Sequence, residues 1–195
     1  MKLSASAENS KFISSEYRTV QEQMHETHPD YGTAGETYAE TISHIVNRME
    51  VTHLLDYGCG ANTSLAKSLK VDHKLKYQAY DPGVPRFSRD PVPAQMVVRA
   101  DVLEHIEPEK LDAVLDHIAR LAEGIVFLSV CTAPALKTLP DGRNAHLIVE
   151  PVEWWLPKLL SRWDWQTVQR TNDECFFFIG QAKVRIEAAN GEALI

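Results

Sequence analysis

Apolar residues recur at helical spacing through the first quarter of the chain, then in short continuous runs divided by glycine, proline and charged clusters. Residues 1 to 11 are small and polar and are expected to be disordered. From Ser14 to about Thr27, Tyr17, Val20 and Met24 fall on one weak helical face, which His28-Pro29-Asp30-Tyr31-Gly32 breaks. Thr33 with Glu36 has the form of a capping box, and Tyr38, Ile42, Ile45, Val46 and Met49 follow at helical spacing. Residues 15 to 49 therefore read as a helical lid or brace placed before the first strand.

From His53 the rhythm changes to strands. His53-Leu54-Leu55-Asp56-Tyr57 is a short apolar run ending in an acid, with Gly58 and Gly60 behind it and a helix opening near Thr63 or Ser64. Lys76 to Tyr80 is a second strand, closed by Asp81, and Gln95 to Ala100 a third extended run, closed by Asp101. Pro108 starts a helix whose stripe is Leu111, Val114, Leu115, Ile118 and Leu121, with Gly124 past its end. Ile125 to Val130 is nearly all apolar, as in a strand covered on both faces. A long loop covers 131 to 147, a helix runs from about Pro151 to Arg162, and Trp165 to Arg170 and Cys175 to Gln181 form a closing hairpin. The acidic, small-residue tail after Ile186 is expected to be mobile.

Strand, glycine turn and helix in that order open a nucleotide-binding α/β sheet. Gly58 and Gly60 permit turn dihedrals closed to other residues and let a ligand approach the backbone. A cap from Thr63 or Ser64 would leave free amides and the positive helix end facing that ligand. Asp81 lies 21 residues beyond Gly60, about the distance at which an acid holds ribose hydroxyls. The third glycine of dinucleotide binders is missing, because Asn62 and Thr63 occupy that region. The form Asp56-Tyr57-Gly58-Cys59-Gly60, with Asp81 beyond it, resembles the class I S-adenosylmethionine-dependent methyltransferases. Val98-Arg99-Ala100-Asp101-Val102-Leu103-Glu104-His105-Ile106 resembles that family's fourth-strand segment, and the likeness spans roughly residues 50 to 180.

The resemblance implies an α/β fold: a Rossmann-like three-layer arrangement with a mostly parallel sheet and a C-terminal antiparallel hairpin. The chain departs from the family after Asp81. A helix, a third strand and a further helix normally follow, yet only 13 residues, Pro82 to Ala94, separate Asp81 from the next apolar run. Four of these are proline, and a proline within a helix costs about 3 kcal/mol. The third strand is therefore expected to be missing and the second to form an edge. An extended stretch of that length spans roughly 40 Å, enough to return and cross one neighbour. The loop is expected to pass beside the glycine turn, with Val84 or Phe87 near the adenine.

At 195 residues and 44% apolar content the chain is expected to be one domain: a tail, a lid over 15 to 49 and a core over 50 to 181. A net charge of −7 argues against a general polyanion binder. Cys59, Cys131 and Cys175 are far apart in sequence and read as reduced thiols, with no metal. No apolar run approaches the roughly 20 residues of a membrane span, and a cytoplasmic location is expected.

As the resemblance has it, the cofactor is S-adenosylmethionine, held by Asp56, Gly58, Gly60, Asp81, Pro82, Asp101 and Val102. Methyl transfer needs in-line positioning of a nucleophile and, for a neutral acceptor, loss of a proton. Asp101, His105 and His146 are the candidate catalytic groups, His105 having the native pKa range of a general base. Tyr17, Tyr31, Arg143 and His146 are the candidate acceptor contacts, Arg143 suiting a carboxylate or phosphate. One of the adjacent Trp154 and Trp155 must face away from the core and is a further candidate for the acceptor cleft. The expected activity is O- or N-methylation of a small-molecule acceptor, with no membrane or nucleic-acid partner and a homodimer left open. Three alternatives stay open: a non-catalytic cofactor-binding or partner subunit, a nucleic-acid base methyltransferase, and a dehydrogenase.

Overall fold

His53–Tyr57 (β1) is buried from Leu54 onward, as expected of a strand with neighbours on both sides and layers on both faces. The computed structural model describes residues 11–28 and 30–183. Apart from Lys11, the expected disordered N-terminus lies outside the described residues, as does the acidic tail. Around β1 the sheet contains β2 (Lys76–Tyr80), β3 (Ala94–Arg99), β4 (Ala122–Cys131), β5 (Trp163–Arg170) and β6 (Cys175–Ala182), in the order β2-β1-β3-β4-β6-β5. The first four run parallel, β6 runs antiparallel to β4, and β5 antiparallel to β6.

The helices supply the outer layers. They are α1 (Ser15–Thr27), α2 (Ala34–Thr37), α3 (Ala39–Arg48), α4 (Ser64–Ser68), α5 (Leu111–Leu121) and α6 (Val152–Leu160). All five stripe residues of α5 are buried, and with Trp155 and Leu159 of α6 they cover Leu55, Val97 and Val126. Ile42 and Val46 of α3 and Leu65 of α4 cover Leu54, Met96, Val98 and Phe127 on the opposite face. A third apolar cluster joins Ile13, Tyr17 and Met24 of the α1 region to Tyr31, Leu139 and Ala145. It lies apart from the two sheet faces and ties α1 to the 131–147 loop.

The shortened sheet is present as expected. Between β2 and β3 the described residues contain no α-helix and no strand, only a 3-10 turn over Pro85–Phe87. This leaves β2 at the edge, and the prolines hold the connection extended while it crosses β1.

Several local expectations are corrected. The Thr33 hydroxyl donates to the Asp30 carbonyl, 3.2 Å away, and caps nothing; the helical stretch after it divides at Tyr38 into α2 and α3. Met49 is 57% exposed, just past the end of α3. Thr63 adopts the left-handed region at φ 46° and its hydroxyl turns back to the Asn62 carbonyl, so it too makes no cap. Gly124 lies inside β4, where a Cβ would come within 2.9 Å of the Gln95 carbonyl, because β4 begins directly at the end of α5. The carboxyl-terminal helix is shorter than expected, starting at Val152 behind Pro151.

Candidate functional site

At the C-terminal ends of the parallel strands lies a cavity of about 450 Å³, within the usual size range of ligand pockets. Its floor is Gly58 and Gly60 after β1, Asp81 and Pro82 after β2, and Asp101 and Val102 after β3. Its roof is Tyr17, Gln21 and His25 of α1, the Tyr31–Ala34 segment, and Ala145 and His146 of the long loop.

Gly58 and Gly60 have φ of +91° and +61°, so the turn is one that residues with a Cβ resist. The amides of Gly58 and Cys59 both donate to the Tyr80 carbonyl, at 2.7 and 3.1 Å, pinning the turn to the end of β2. A Cβ on Gly58 would meet Val102 at 2.9 Å, and one on Gly60 would meet the Gly32 backbone at 3.0 Å. The 30–33 segment therefore lies directly on the turn. Asp81 accepts from the Gly60 amide at 3.0 Å and from its own loop's Gly83 amide at 2.9 Å. The two motifs read separately in the sequence are thus joined by three hydrogen bonds, two to the Tyr80 carbonyl and one to the Asp81 carboxylate.

Asp101 has φ +49°, a conformation that Asp tolerates better than most residues. Buried Ser129 on β4 fixes it, accepting from the Asp101 amide and donating to its carboxylate, which Tyr38 also reaches at 3.3 Å. Burial raises the pKa of this carboxyl.

His105 and His146 meet edge to face, with ring centres 4.7 Å apart. Nδ1 of His105 bonds the Ala145 carbonyl at 2.7 Å, and Nδ1 of His146 bonds that of Ala133 at 2.6 Å. A carbonyl only accepts, so each Nδ1 carries a proton, and in the neutral ring the lone pair is on Nε2. Burial pushes His105 down to about 3, the neighbouring His146 adding to the effect, so the ring is neutral near pH 7. Beside them Glu104 is fully buried, with Oε1 taking the Cys131 amide at 2.8 Å and Oε2 without a partner among the described residues. Burial, then the charge of Asp101, pushes its carboxyl up to about 8. Arg99, 4% exposed, lies over the Tyr57 ring at 4.8 Å, its Nε without a partner among the described residues.

No family model matches the sequence, and no curated protein matches it. Solved structures do. A 1,6-didemethyltoxoflavin-N1-methyltransferase of Burkholderia thailandensis, solved with that compound and S-adenosylhomocysteine, is 18% identical at a TM-score of 0.62. The alignment covers 86% of this chain and 89% of that one. The N-methyltransferase NodS of Bradyrhizobium japonicum, in complex with S-adenosylhomocysteine, is 13% identical at a TM-score of 0.59, covering 85% and 98% of the two chains. An O-methyltransferase family protein of B. thailandensis is 16% identical at a TM-score of 0.57, covering 83% of this chain and 62% of that one. The chain has the fold of S-adenosylmethionine-dependent methyltransferases.

In that fold the cavity collects most of the residues singled out from the sequence. Gly58, Gly60, Asp81, Pro82, Asp101, Val102, His105, His146, Tyr17 and Tyr31 all line it. Tyr17 donates to the His105 carbonyl at 2.7 Å, and Tyr31 to Gln21 Oε1 at 3.1 Å. Four expected groups do not reach the wall. Asp56 is buried under the turn, where its carboxylate accepts the Tyr77 hydroxyl, so it braces and does not face the cavity. Arg143 turns back on Asp141, bonding it through Nε and Nη2 at 2.9 and 2.6 Å, and lies against the outside of Tyr17. Neither Val84, which is buried, nor Phe87, which lies under Arg86, lines the cavity, although Arg86 does tie their loop to the glycine turn at Ala61. Trp155 is core, its Nε1 bonded to the Glu150 carbonyl, and Trp154 packs at 5.1 Å beside it, away from this cavity.

Gln21, His25, Arg99 and Glu104 were missed. Charged residues at the end of an apolar strand and in the turn behind it were the available signal for Arg99 and Glu104. Helical spacing drew attention to Tyr17 and Met24 and passed over polar Gln21, although all three are buried.

Proposed function

We propose that the chain is an S-adenosylmethionine-dependent methyltransferase that acts on a small-molecule acceptor by O- or N-methyl transfer. The observation that carries this is the Gly60 amide held on the Asp81 carboxylate between the ends of two adjacent parallel strands, at the floor of a cavity, in this fold. The backbone cradle suits the cofactor's methionine end: a side chain on Gly58 or Gly60 would have no room. Asp81, with unused lone pairs on both oxygens, suits the ribose hydroxyls. Pro82, Asp101 and Val102 continue the wall toward the base.

Bound S-adenosylmethionine supplies an activated methyl on a sulfonium, an excellent leaving group. The protein's share is then to place the acceptor in line and to receive a proton where the acceptor is neutral. Tyr17 and Tyr31 would wall the acceptor, and Asp101 with the His105–His146 pair beside it would line the route for the proton, His105 staying neutral because of its burial. The acidic balance of the chain supports a small-molecule acceptor over a nucleic acid. The free thiols of Cys59, Cys131 and Cys175 fit a cytoplasmic location.

The test is calorimetry and thermal melting with S-adenosylhomocysteine. Binding should raise the melting temperature by mass action, and Asp81→Ala should weaken affinity about 10- to 100-fold by removing a charge-assisted contact. No shift at millimolar S-adenosylhomocysteine, with a shift given by a nicotinamide dinucleotide, would make the site a dehydrogenase's. An acceptor screen with labelled methyl then separates an enzyme from a binding subunit.

A further inference from the structure

Glu104, His105 and His146 come together from two places in the chain, the turn after β3 and the long loop after β4. One ligand-capable atom from each lies within 4.8 Å of the other two. We propose that these three residues form a binding site for a divalent transition-metal cation, with zinc as the best-suited ion.

Four features of the geometry point this way. The donor set, two imidazoles and one carboxylate, selects zinc and its transition-metal neighbours over magnesium or calcium, which take oxygen ligands. Each imidazole is aimed by a backbone carbonyl on Nδ1, at 2.7 Å from Ala145 and 2.6 Å from Ala133, the outer-shell arrangement that fixes the tautomer and leaves Nε2 for a metal. Glu104 is fully buried, and Oε2 has no partner among the described residues while Oε1 is held by the Cys131 amide. An orphaned buried carboxylate oxygen is costly, and a cation beside it removes the cost. Both histidines line the cavity, which leaves a fourth position open in the manner of catalytic zinc sites. Tetrahedral ligands at about 2.0–2.1 Å from zinc stand roughly 3.4 Å from one another, so a triad spread over 4.8 Å must tighten by up to about 1.4 Å.

On the methyltransferase reading, the open position faces the acceptor. A cation there would bind an acceptor hydroxyl and lower its pKa, as it does for water, so that the oxygen attacks as an anion and its proton leaves to solvent or to a neighbouring base. This step depends on that reading; cation binding does not.

The experiment uses the tag-free full chain, stripped with chelator and titrated with Zn²⁺ by calorimetry, with metal content measured after dialysis. Expected is one zinc per chain, with affinity reduced at least about 10-fold in His146→Ala and in Glu104→Gln, and unchanged in His44→Ala on the exposed face of α3. Glu104→Gln keeps an oxygen for the Cys131 amide; His146→Ala alters a half-buried loop side chain and serves alone if the former does not fold. Co²⁺ should give an intense visible spectrum of a four-coordinate site in the wild type and lose it in His146→Ala. Zinc retained at well under one equivalent, or bound equally by His146→Ala and wild type, overturns the proposal. A thermal shift with S-adenosylhomocysteine that persists in chelator, alongside absent zinc binding, would sink the cation site alone. Stoichiometric zinc without any response to S-adenosylhomocysteine would sink the methyltransferase reading alone.

Discussion

Asp56 stands near the end of β1, just before the glycine turn. An acid at the end of a strand before a glycine turn can bond a ligand or brace the turn. What decides is Tyr77, on the neighbouring strand, whose hydroxyl reaches the carboxylate from 21 positions away. Burial pushes the Asp56 carboxyl up to about 7, against the lowering effect of the Tyr77 bond. A carboxyl that holds its proton more tightly folded than unfolded contributes stability that is complete below the unfolded pKa, near 4, and is lost as pH rises through about 7. The expected outcome is a fall in unfolding free energy across that window, on the order of 4 kcal/mol at most from this group. Asp56→Asn keeps an oxygen for Tyr77 and should flatten the fall, with greater relative stability at pH 8, in denaturant titrations at several pH values. An unchanged slope in the variant would place the pH dependence in other buried acids.

At the scale of elements, strands and long amphipathic helices were readable because their periods are local. The stripe of α5 and the proline-rich run that removes the third strand are examples. Caps were misread, since a hydroxyl at Thr33 or Thr63 chooses between the next turn and the previous carbonyl according to the backbone angle. Strand register was also hidden from the sequence, and it changes the reading of the cysteines. In the β4–β6 pairing Cys131 stands directly opposite Cys175, and the two sulfurs are 3.0 Å apart, although 44 positions separate them. Both are free thiols and half-buried. Burial and the neighbouring thiol push Cys175 up to about 12, so little thiolate forms near pH 7 and exchange should be slow. The expected outcome with excess oxidised glutathione is slow formation of an internal disulfide, the two thiols passing two electrons and two protons to the reagent. Titratable thiols in the unfolded product should fall from three to one, without a glutathione adduct. Three thiols remaining after prolonged oxidation at pH 9 would show that the strands do not hold this pair together.

At the scale of the whole molecule, the floor of the cavity was legible and its roof was not. The floor is three strand ends, each marked by its own glycine or acid, which the resemblance to the methyltransferases places side by side in a parallel sheet. The roof is a tertiary association: Ile13, Tyr17 and Met24 of the α1 region pack on Leu139 and Ala145, more than a hundred residues away, through a cluster separate from the sheet core. Such an arrangement has a consequence for opening. The apolar contacts of α1 lie mainly in this satellite cluster, with Tyr17 bonded to His105 and the Ser14 amide to Glu107, while β1, β3 and β4 are sealed by the two large clusters. The cheapest route into the cavity is therefore local detachment of α1 and the 131–147 loop with the sheet intact. Amide exchange should show α1 exchanging well before β1, β3 and β4. S-adenosylhomocysteine at 100 times its dissociation constant should slow α1 by up to about 100-fold, equivalent to about 2.7 kcal/mol, provided that detachment releases the ligand. β5, at the edge of the sheet opposite β2, should change less if its opening leaves the ligand bound. Protection of α1 equal to that of β1 without ligand would mean that the roof opens only when the sheet does, and that entry follows another path.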